Sequence, residues 1–297
     1  MKILITGAYG FVGSNLSRFL ADKGHVLDAL DLSTAKRPYL PYSSTYSWED
    51  LAADRIPLAS YSAIVHLAGK AHDLRKTADP QSYFTINVGL TEKLFSRVVT
   101  LASPRPRFIY FSSIKAVDGD TPYAKSKQAA EAYLAGRAIV LRPAMIHGPG
   151  NKGNLNLLYA IARRGLPWPL AAFENQRSFT SVGNISAVVE AMCERGENGV
   201  YPIADDLPIS TNRIIELIAE STGRKARLWR LPPWLMRLAA RLGDFLPLPL
   251  DSERFGKLTA NAVVDNTPLK RALGWATMPI AAEDGMRSTL KSFTRPS

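Results

Sequence analysis

The chain has 297 residues, 46% of them hydrophobic and 21% charged, with 37 Lys and Arg against 26 Asp and Glu for a net charge of +11. That length and balance suit a globular protein with one large α/β domain and a smaller one appended. The single cysteine, Cys193, excludes an intramolecular disulfide, and His25, His66, His72 and His147 share no metal-ligand spacing, so no metal site is expected.

The N-terminal Met1-Lys2-Ile3-Leu4 enters a strand at once and lacks the apolar core of a signal peptide. No apolar run approaches the ~20 residues that span a bilayer, and a cytoplasmic protein is the expectation. In chain order, strands are expected at Lys2–Thr6, His25–Asp31, Ala63–Leu67, Arg107–Ser112 and Ala138–Arg142. Between the first two, Val12, Leu16, Phe19 and Leu20 recur at helical spacing and Gly24 closes the helix. Further helices are expected over 81–101 and 122–136. Such alternation is the signature of a parallel sheet flanked by helices. After the Gly148-Pro149-Gly150 turn it fades and prolines multiply, until Ile185–Arg195 and Val200–Ala204 return to the sheet.

Residues Thr6-Gly7-Ala8-Tyr9-Gly10-Phe11-Val12-Gly13 follow the first strand directly and open the first helix. Gly7 allows the tight turn, Gly10 the close approach of a pyrophosphate, and Gly13 close packing of helix on strand. The diphosphate would sit at the positive helix end, against a turn formed by Gly7, Tyr9, Gly10, Phe11, Val12 and Gly13. Asp31, 18 residues beyond Gly13, stands where a carboxylate accepts both ribose hydroxyls of NAD. Lys36 and Arg37 nearby leave NADP open. The fold expected is α/β, a Rossmann-type doubly wound parallel sheet over 1–150 rejoined by 182–205. Residues 151–181 and 206–297 would form a smaller C-terminal substrate-binding domain.

Tyr123 and Lys127 lie four apart, on one face of a helix. An adjacent ammonium favours tyrosinate, which would make Tyr123 a usable acid/base for an alcohol proton. Upstream, Phe108-Ile-Tyr-Phe-Ser-Ser113 is a strand ending in two hydroxyls, placed to hold a substrate oxygen beside Tyr123.

Together these residues resemble the extended short-chain dehydrogenase/reductase superfamily, in its NAD-dependent epimerase/dehydratase branch acting on nucleotide-activated sugars. Thr6–Gly13 matches the Thr-Gly-x-x-Gly-x-x-Gly motif, and His66-Leu67-Ala68-Gly69 is similar to a cofactor-lining segment. Asn87 matches a helix asparagine, and Tyr123 with Lys127 the catalytic pair. The resemblance assigns the catalytic hydroxyl to Ser113 and nicotinamide contacts to the strand end at Arg142-Pro143. It assigns a diphosphate-gripping role to Arg177, within Gln176-Arg177-Ser178-Phe179. Ala272-Leu-Gly-Trp275 resembles a C-terminal signature. Lys70 and, in the loop after Gly150, Asn154 with Lys152 are further substrate candidates. Ser113 and Tyr123 stand ten residues apart, a shorter link than sugar epimerases carry. Ile114-Lys115 follows where sugar 4,6-dehydratases place an acidic pair, so dehydration is not expected.

What the resemblance implies is an NAD-dependent epimerase of a UDP-hexose or UDP-N-acetylhexosamine, serving glycan precursor synthesis. The alternatives are an NAD(P)H-dependent reductase of a nucleotide 4-keto sugar and a cofactor-binding scaffold with little turnover. The partner expected is a nucleotide-diphosphate sugar; no nucleic-acid signature accompanies the basic charge, and a homodimer is the expected assembly. His66 and Cys193 read as packed residues. The stretch 224–241 holds Arg224, Lys225, Arg227, Arg230, Arg237 and Arg241 without an acid, with Trp229, Trp234, Leu235 and Leu238 as an apolar side. Pro232 and Pro233 would interrupt a long helix there. The preferred reading is an amphipathic segment with solvated arginines, the alternative a membrane-surface helix.

Overall fold

The computed structural model describes residues 1–34, 39–71, 79–151, 155–246 and 250–294. β1 (Lys2–Thr6) is followed by α1 (Phe11–Asp22), β2 (Val26–Leu30), β3 (Ser44–Tyr46), α2 (Trp48–Ala52) and β4 (Ala63–His66). Then come α3 (Pro80–Asn87), α4 (Gly89–Val99), β5 (Arg107–Phe111), α5 (Pro122–Leu134) and β6 (Ile139–Pro143). β7 (Met145–His147), α6 (Leu155–Arg163) and β8 (Phe179–Ser181) precede α7 (Val182–Arg195) and β9 (Gly199–Ile203). The remaining described elements are α8 (Thr211–Ser221), α9 (Pro233–Gly243), α10 (Ser252–Thr259), α11 (Thr267–Leu273) and α12 (Ala282–Thr294).

Two compact units emerge. The first holds Met1–Ala144, Val182–Ile203 and Asp265–Pro279; the second holds Met145–Ser181, Ala204–Val264 and Ile280–Ser297. Met145–Gly150 with Ala204 and Asp205, expected in the first domain, therefore group with the second, and Asp265–Pro279, expected in the second, groups with the first. The cause of the latter is packing. α11 lies on α7 and β9, Leu269 and Leu273 are buried, and Arg195 donates to the Leu273 carbonyl at 3.2 Å.

The first unit is a seven-stranded sheet in the order β3-β2-β1-β4-β5-β6-β9, parallel throughout. Ile3, Leu4 and Ile5 of β1 are all fully buried, as a central parallel strand covered on both faces requires. Each contributes roughly 1.5–3 kcal/mol through that burial. Leu94 and Phe95 of α4, Phe108 of β5 and Leu134 of α5 share one core cluster, while α1 packs against α7. The helix expected over 81–101 is two, α3 and α4, parted at Val88, with the poor helix former Gly89 next in line. His25 Nε2 lies 3.4 Å from Glu190 of α7, and ligand atoms of His25, Glu190 and Glu194 gather within 4.8 Å, a juxtaposition that spacing along the chain does not reveal.

In the second unit, β7 and β8 pair in parallel beside a core that includes Leu158, Trp168, Ile214, Ile218 and Met286. Buried His147 ties its elements together: Nδ1 lies 2.8 Å from Thr289 Oγ1 of α12 and Nε2 3.4 Å from Asp205. Asp205 in turn accepts from the Ser181 amide of β8 at 3.0 Å. Pro232 and Pro233 do not break a helix here. Pro233 starts α9, in the first turn, where a missing N–H costs nothing. Among the described residues no helix is long and apolar enough to cross a membrane.

Candidate active site

The glycine-rich turn is built as a cradle. Gly7 sits at φ +62°, and a Cβ there would lie 2.8 Å from the Ala68 amide nitrogen. A Cβ on Gly13 would lie 2.6 Å from the carbonyl oxygens of both Gly7 and Ala8. Gly10 donates to the Gly7 carbonyl at 3.0 Å and caps α1 without a side chain, so Phe11 and Val12 begin the helix with no side-chain acceptor at Gly10. Such an end attracts an anion. Tyr9 leads its amide into Asp31 Oδ2 at 3.0 Å, and the Leu32 amide donates to Oδ1 at 2.7 Å. Asp31 is thus held at the tip of β2 against the glycine turn. Tyr42 braces the turn from outside, donating to the Ala8 carbonyl at 2.9 Å. Lys36 and Arg37 lie outside the described residues.

The second wall follows β4. The Leu67 amide donates to the Thr6 carbonyl at 3.2 Å and the Ala68 amide to Thr6 Oγ1 at 3.0 Å. A Cβ on Gly69 would meet Asn87 Oδ1 at 2.9 Å and Lys127 Nζ at 3.1 Å, so Gly69, Asn87 and Lys127 converge. Asn87 is fully buried and donates to Ser126 Oγ at 2.8 Å. Lys70 reaches α3 instead of standing free: Nζ donates to Ser82 Oγ at 2.8 Å and lies 5.1 Å from the Tyr83 ring centre.

α5 carries the reacting pair. Thr121 caps it by accepting the Ala124 amide, and Pro122 occupies its first turn, a strong helix start. Tyr123 is half-buried; burial raises its phenol above the usual value, and a hydrogen bond with Ser113 acts in the opposite sense. Ser113 also accepts the Lys115 amide at 3.2 Å. Lys127 is buried, donates to the Phe111 carbonyl at 2.7 Å and lies 4.8 Å from the Tyr110 ring centre. Burial lowers its ammonium to about 8, against the opposing pull of Glu131. The lysine charge bears on His66, whose imidazole burial and Lys127 together lower to about 3. His66 is a neutral core residue, 2.7 Å from Thr6 Oγ1 and 3.0 Å from Thr91 Oγ1.

Pro143 ends β6 in a buried position. Its neighbour Arg142 grips Glu131 with Nε at 2.9 and 3.1 Å from the two carboxylate oxygens, and with its terminal nitrogen as well. In the second unit the half-buried Arg177 donates to the Lys257 carbonyl. Ile209 donates to the Arg177 carbonyl at 2.9 Å. Asn154 and Lys152 lie outside the described residues. Sequence reasoning missed Thr6, Ser126 and Tyr83. Thr6 opens the glycine motif, and Ser126, three residues past Tyr123, donates back to the Tyr123 carbonyl at 2.8 Å. The ring of Tyr83 meets that of Tyr123 edge-on at 6.3 Å.

These residues fit a dinucleotide. Side chains at Gly7 or Gly13 would strike the backbone of Ala68 or of the turn itself, and one at Gly69 would strike Asn87 and Lys127, so the close approach of these segments requires glycine. Buried Ser112 Oγ after β5 has no hydrogen-bond partner among the described residues. The model of the NAD dependent epimerase/dehydratase family matches residues 3–204. A UDP-glucose 4-epimerase of Vibrio cholerae is 27% identical, over 98% of this chain and 95% of that protein. An N-acetyl-alpha-D-glucosaminyl-diphospho-ditrans,octacis-undecaprenol 4-epimerase of Escherichia coli O157:H7 is 26% identical, over 98% and 94%. The solved structure of a Thermotoga maritima UDP-glucose 4-epimerase with UDP-glucose superposes with TM-score 0.73 at 22% identity, covering 99% and 98% of the two chains.

Proposed function

The chain belongs to the NAD dependent epimerase/dehydratase family, and on that premise we propose that it inverts carbon 4 of a nucleotide-activated hexose or N-acetylhexosamine. The observation that carries this reading is the convergence of Gly69, Asn87 and Lys127, with Tyr123 one helical turn before Lys127 on α5. The length-wide match to an epimerase of UDP-glucose supports the substrate class. When bound, NAD supplies the hydride acceptor and returns the same hydride.

The chain's own residues handle the proton and the orientation. Ser113 holds the oxygen on carbon 4, and Tyr123, as tyrosinate favoured by the ammonium of Lys127 one turn along α5, takes its proton as carbon 4 becomes a ketone. Tyr123 gives the proton back after the ketone has presented its other face. Lys127, fixed on the Phe111 carbonyl, orients the ribose, and Asp31 accepts the adenosine ribose hydroxyls. A carboxylate there repels a 2′-phosphate, which favours NAD. Arg177 is the residue we assign to the substrate diphosphate, since a planar fork suits phosphate oxygens. The setting we propose is a cytoplasmic homodimer.

A second reading keeps the chemistry and moves the sugar onto a polyprenyl diphosphate; the relative acting on an undecaprenyl diphosphosugar favours it. The test is chromatographic assay of purified protein with NAD against UDP-hexoses, UDP-N-acetylhexosamines and a polyprenyl-diphosphate sugar. Interconversion of a UDP-sugar supports the first reading, turnover of the lipid-borne sugar alone the second, and turnover of neither contradicts both.

A further inference from the structure

α9 is anchored to its unit by Met236 and Ala240, both buried. Its other side is not covered. Trp234 is 65% exposed, and Leu235, Leu238 and Leu242 are exposed with it. At ~100° per residue these four fall within an arc of about 100°, facing away from Met236 and Ala240. Phe245, 88% exposed, and Leu246 prolong the apolar strip past the end of the helix, and exposed Trp229 precedes it.

The charge along this strip is mostly basic. Arg237 and Arg241 border the Trp234 edge of the apolar arc on the same helix, and Arg224, Lys225, Arg227 and Arg230 precede it, all exposed. No acidic residue occurs between Arg224 and Gly243. The acids close to it are paired or capping: Glu174 pairs with Arg230 at 3.4 Å, Asp244 accepts from Ser252, and at α10, which packs on α9, Asp251 pairs with Arg254 and Glu253 with Lys257. A second copy of the chain is a poor occupant, because a two-fold interface sets a patch against itself and would oppose arginine to arginine. A surface that is apolar beneath and anionic above matches both features.

We propose that α9 and its flanks form a contact with an anionic membrane surface. Trp234, Leu238, Leu242 and Phe245 enter the boundary between headgroups and acyl chains, and Arg237 and Arg241 take the lipid phosphates. Tryptophan suits that depth, being apolar in body and polar at one edge. The contact lies outside the residues proposed for the reaction and stands whichever sugar the enzyme takes.

The test is co-sedimentation of the full-length protein with phosphatidylcholine vesicles and with vesicles that also contain phosphatidylglycerol, at low and high salt. Wild type is expected to pellet with the anionic vesicles only and to be released by salt. Trp234→Ser/Leu238→Ser and Arg237→Gln/Arg241→Gln are each expected to weaken partitioning by at least about tenfold. Both change exposed side chains, so melting temperature and NAD affinity should match wild type. Absence of binding to anionic vesicles, or equal binding by wild type and variants, overturns the proposal. So does a concentration-dependent dimer that the same substitutions abolish without any vesicle binding, which would give this face to a second copy.

Discussion

Asn87 and Lys70 clasp each other at both ends of one peptide: Asn87 Oδ1 accepts the Lys70 amide at 2.7 Å, and its Nδ2 donates to the Lys70 carbonyl at 3.1 Å. The clasp fixes the segment after Gly69 to the junction of α3 and α4. Through Ser126 it also reaches the turn of α5 that carries Tyr123.

Because Asn87 is fully buried, its replacement strands polar groups that water cannot reach. Asn87→Ala should cost about 2–3 kcal/mol in urea unfolding, the price of an orphaned amide and hydroxyl. A loss below about 0.5 kcal/mol, the level of an ordinary surface change, would show that the clasp holds nothing.

Tyr123→Phe removes the proton-transfer group and leaves the ring that packs against Tyr83. Turnover should fall by about 10²–10⁴-fold, with NAD affinity and melting temperature unchanged. Survival within about tenfold would move the chemistry to another residue.

The Lys127 ammonium, held at about 8 in the folded protein, gives a pH signature. Below that pH the folded and unfolded chains both carry the proton, and the full cost of burying the charge is felt. As pH rises toward the unfolded value of about 10.4, the folded chain loses its proton first, so stability rises. Relative to Lys127→Met, wild type should therefore gain about 2 kcal/mol between about pH 8 and 10, measured by urea melts. A difference between the two proteins that does not change with pH would contradict the burial of this charge.

How much of this could be read from the sequence depends on local signal. β1 and β5 were legible because Ile3-Leu4-Ile5 and Phe108–Phe111 are buried runs next to strong punctuation, a glycine turn in one case and a serine pair in the other. The placement of Gly7, Gly13 and Asp31 around the turn after β1, and of Tyr123 and Lys127 on α5, was legible because fixed spacing carries it. β3, β7 and β8 were not: each is three residues long, too short for any periodicity to register. The engagement of Lys70 by Ser82 and the Arg142–Glu131 pair rest on long-range packing that no local pattern encodes. Lys127 is the instructive case. Its spacing to Tyr123 puts both residues on one face of α5, but its hydrogen bond to the Phe111 carbonyl, 16 residues upstream, could not be read from that spacing.

Arg177 carries the diphosphate assignment. Arg177→Ala should raise the dissociation constant for UDP by at least about tenfold, about 1.4 kcal/mol, with NAD binding untouched. Arg177→Lys should recover part of the loss, because an ammonium cannot make the two-pronged contact. Calorimetric titration of UDP in the presence of NAD decides it. Equal affinity in all three proteins would place the diphosphate elsewhere.

In the proposed reaction one hydride leaves carbon 4 and returns to it on the other face within the same bound complex. Incubating the enzyme and NAD with a UDP-hexose deuterated at carbon 4, then analysing both epimers by mass spectrometry and NMR, tests this directly. The expected result is a mixture of the two carbon-4 epimers with deuterium retained at carbon 4 in each, and no net accumulation of NADH. Loss of deuterium from carbon 4, or a reaction that proceeds only with stoichiometric consumption of added NAD(P)H, would contradict it and identify a reductase instead.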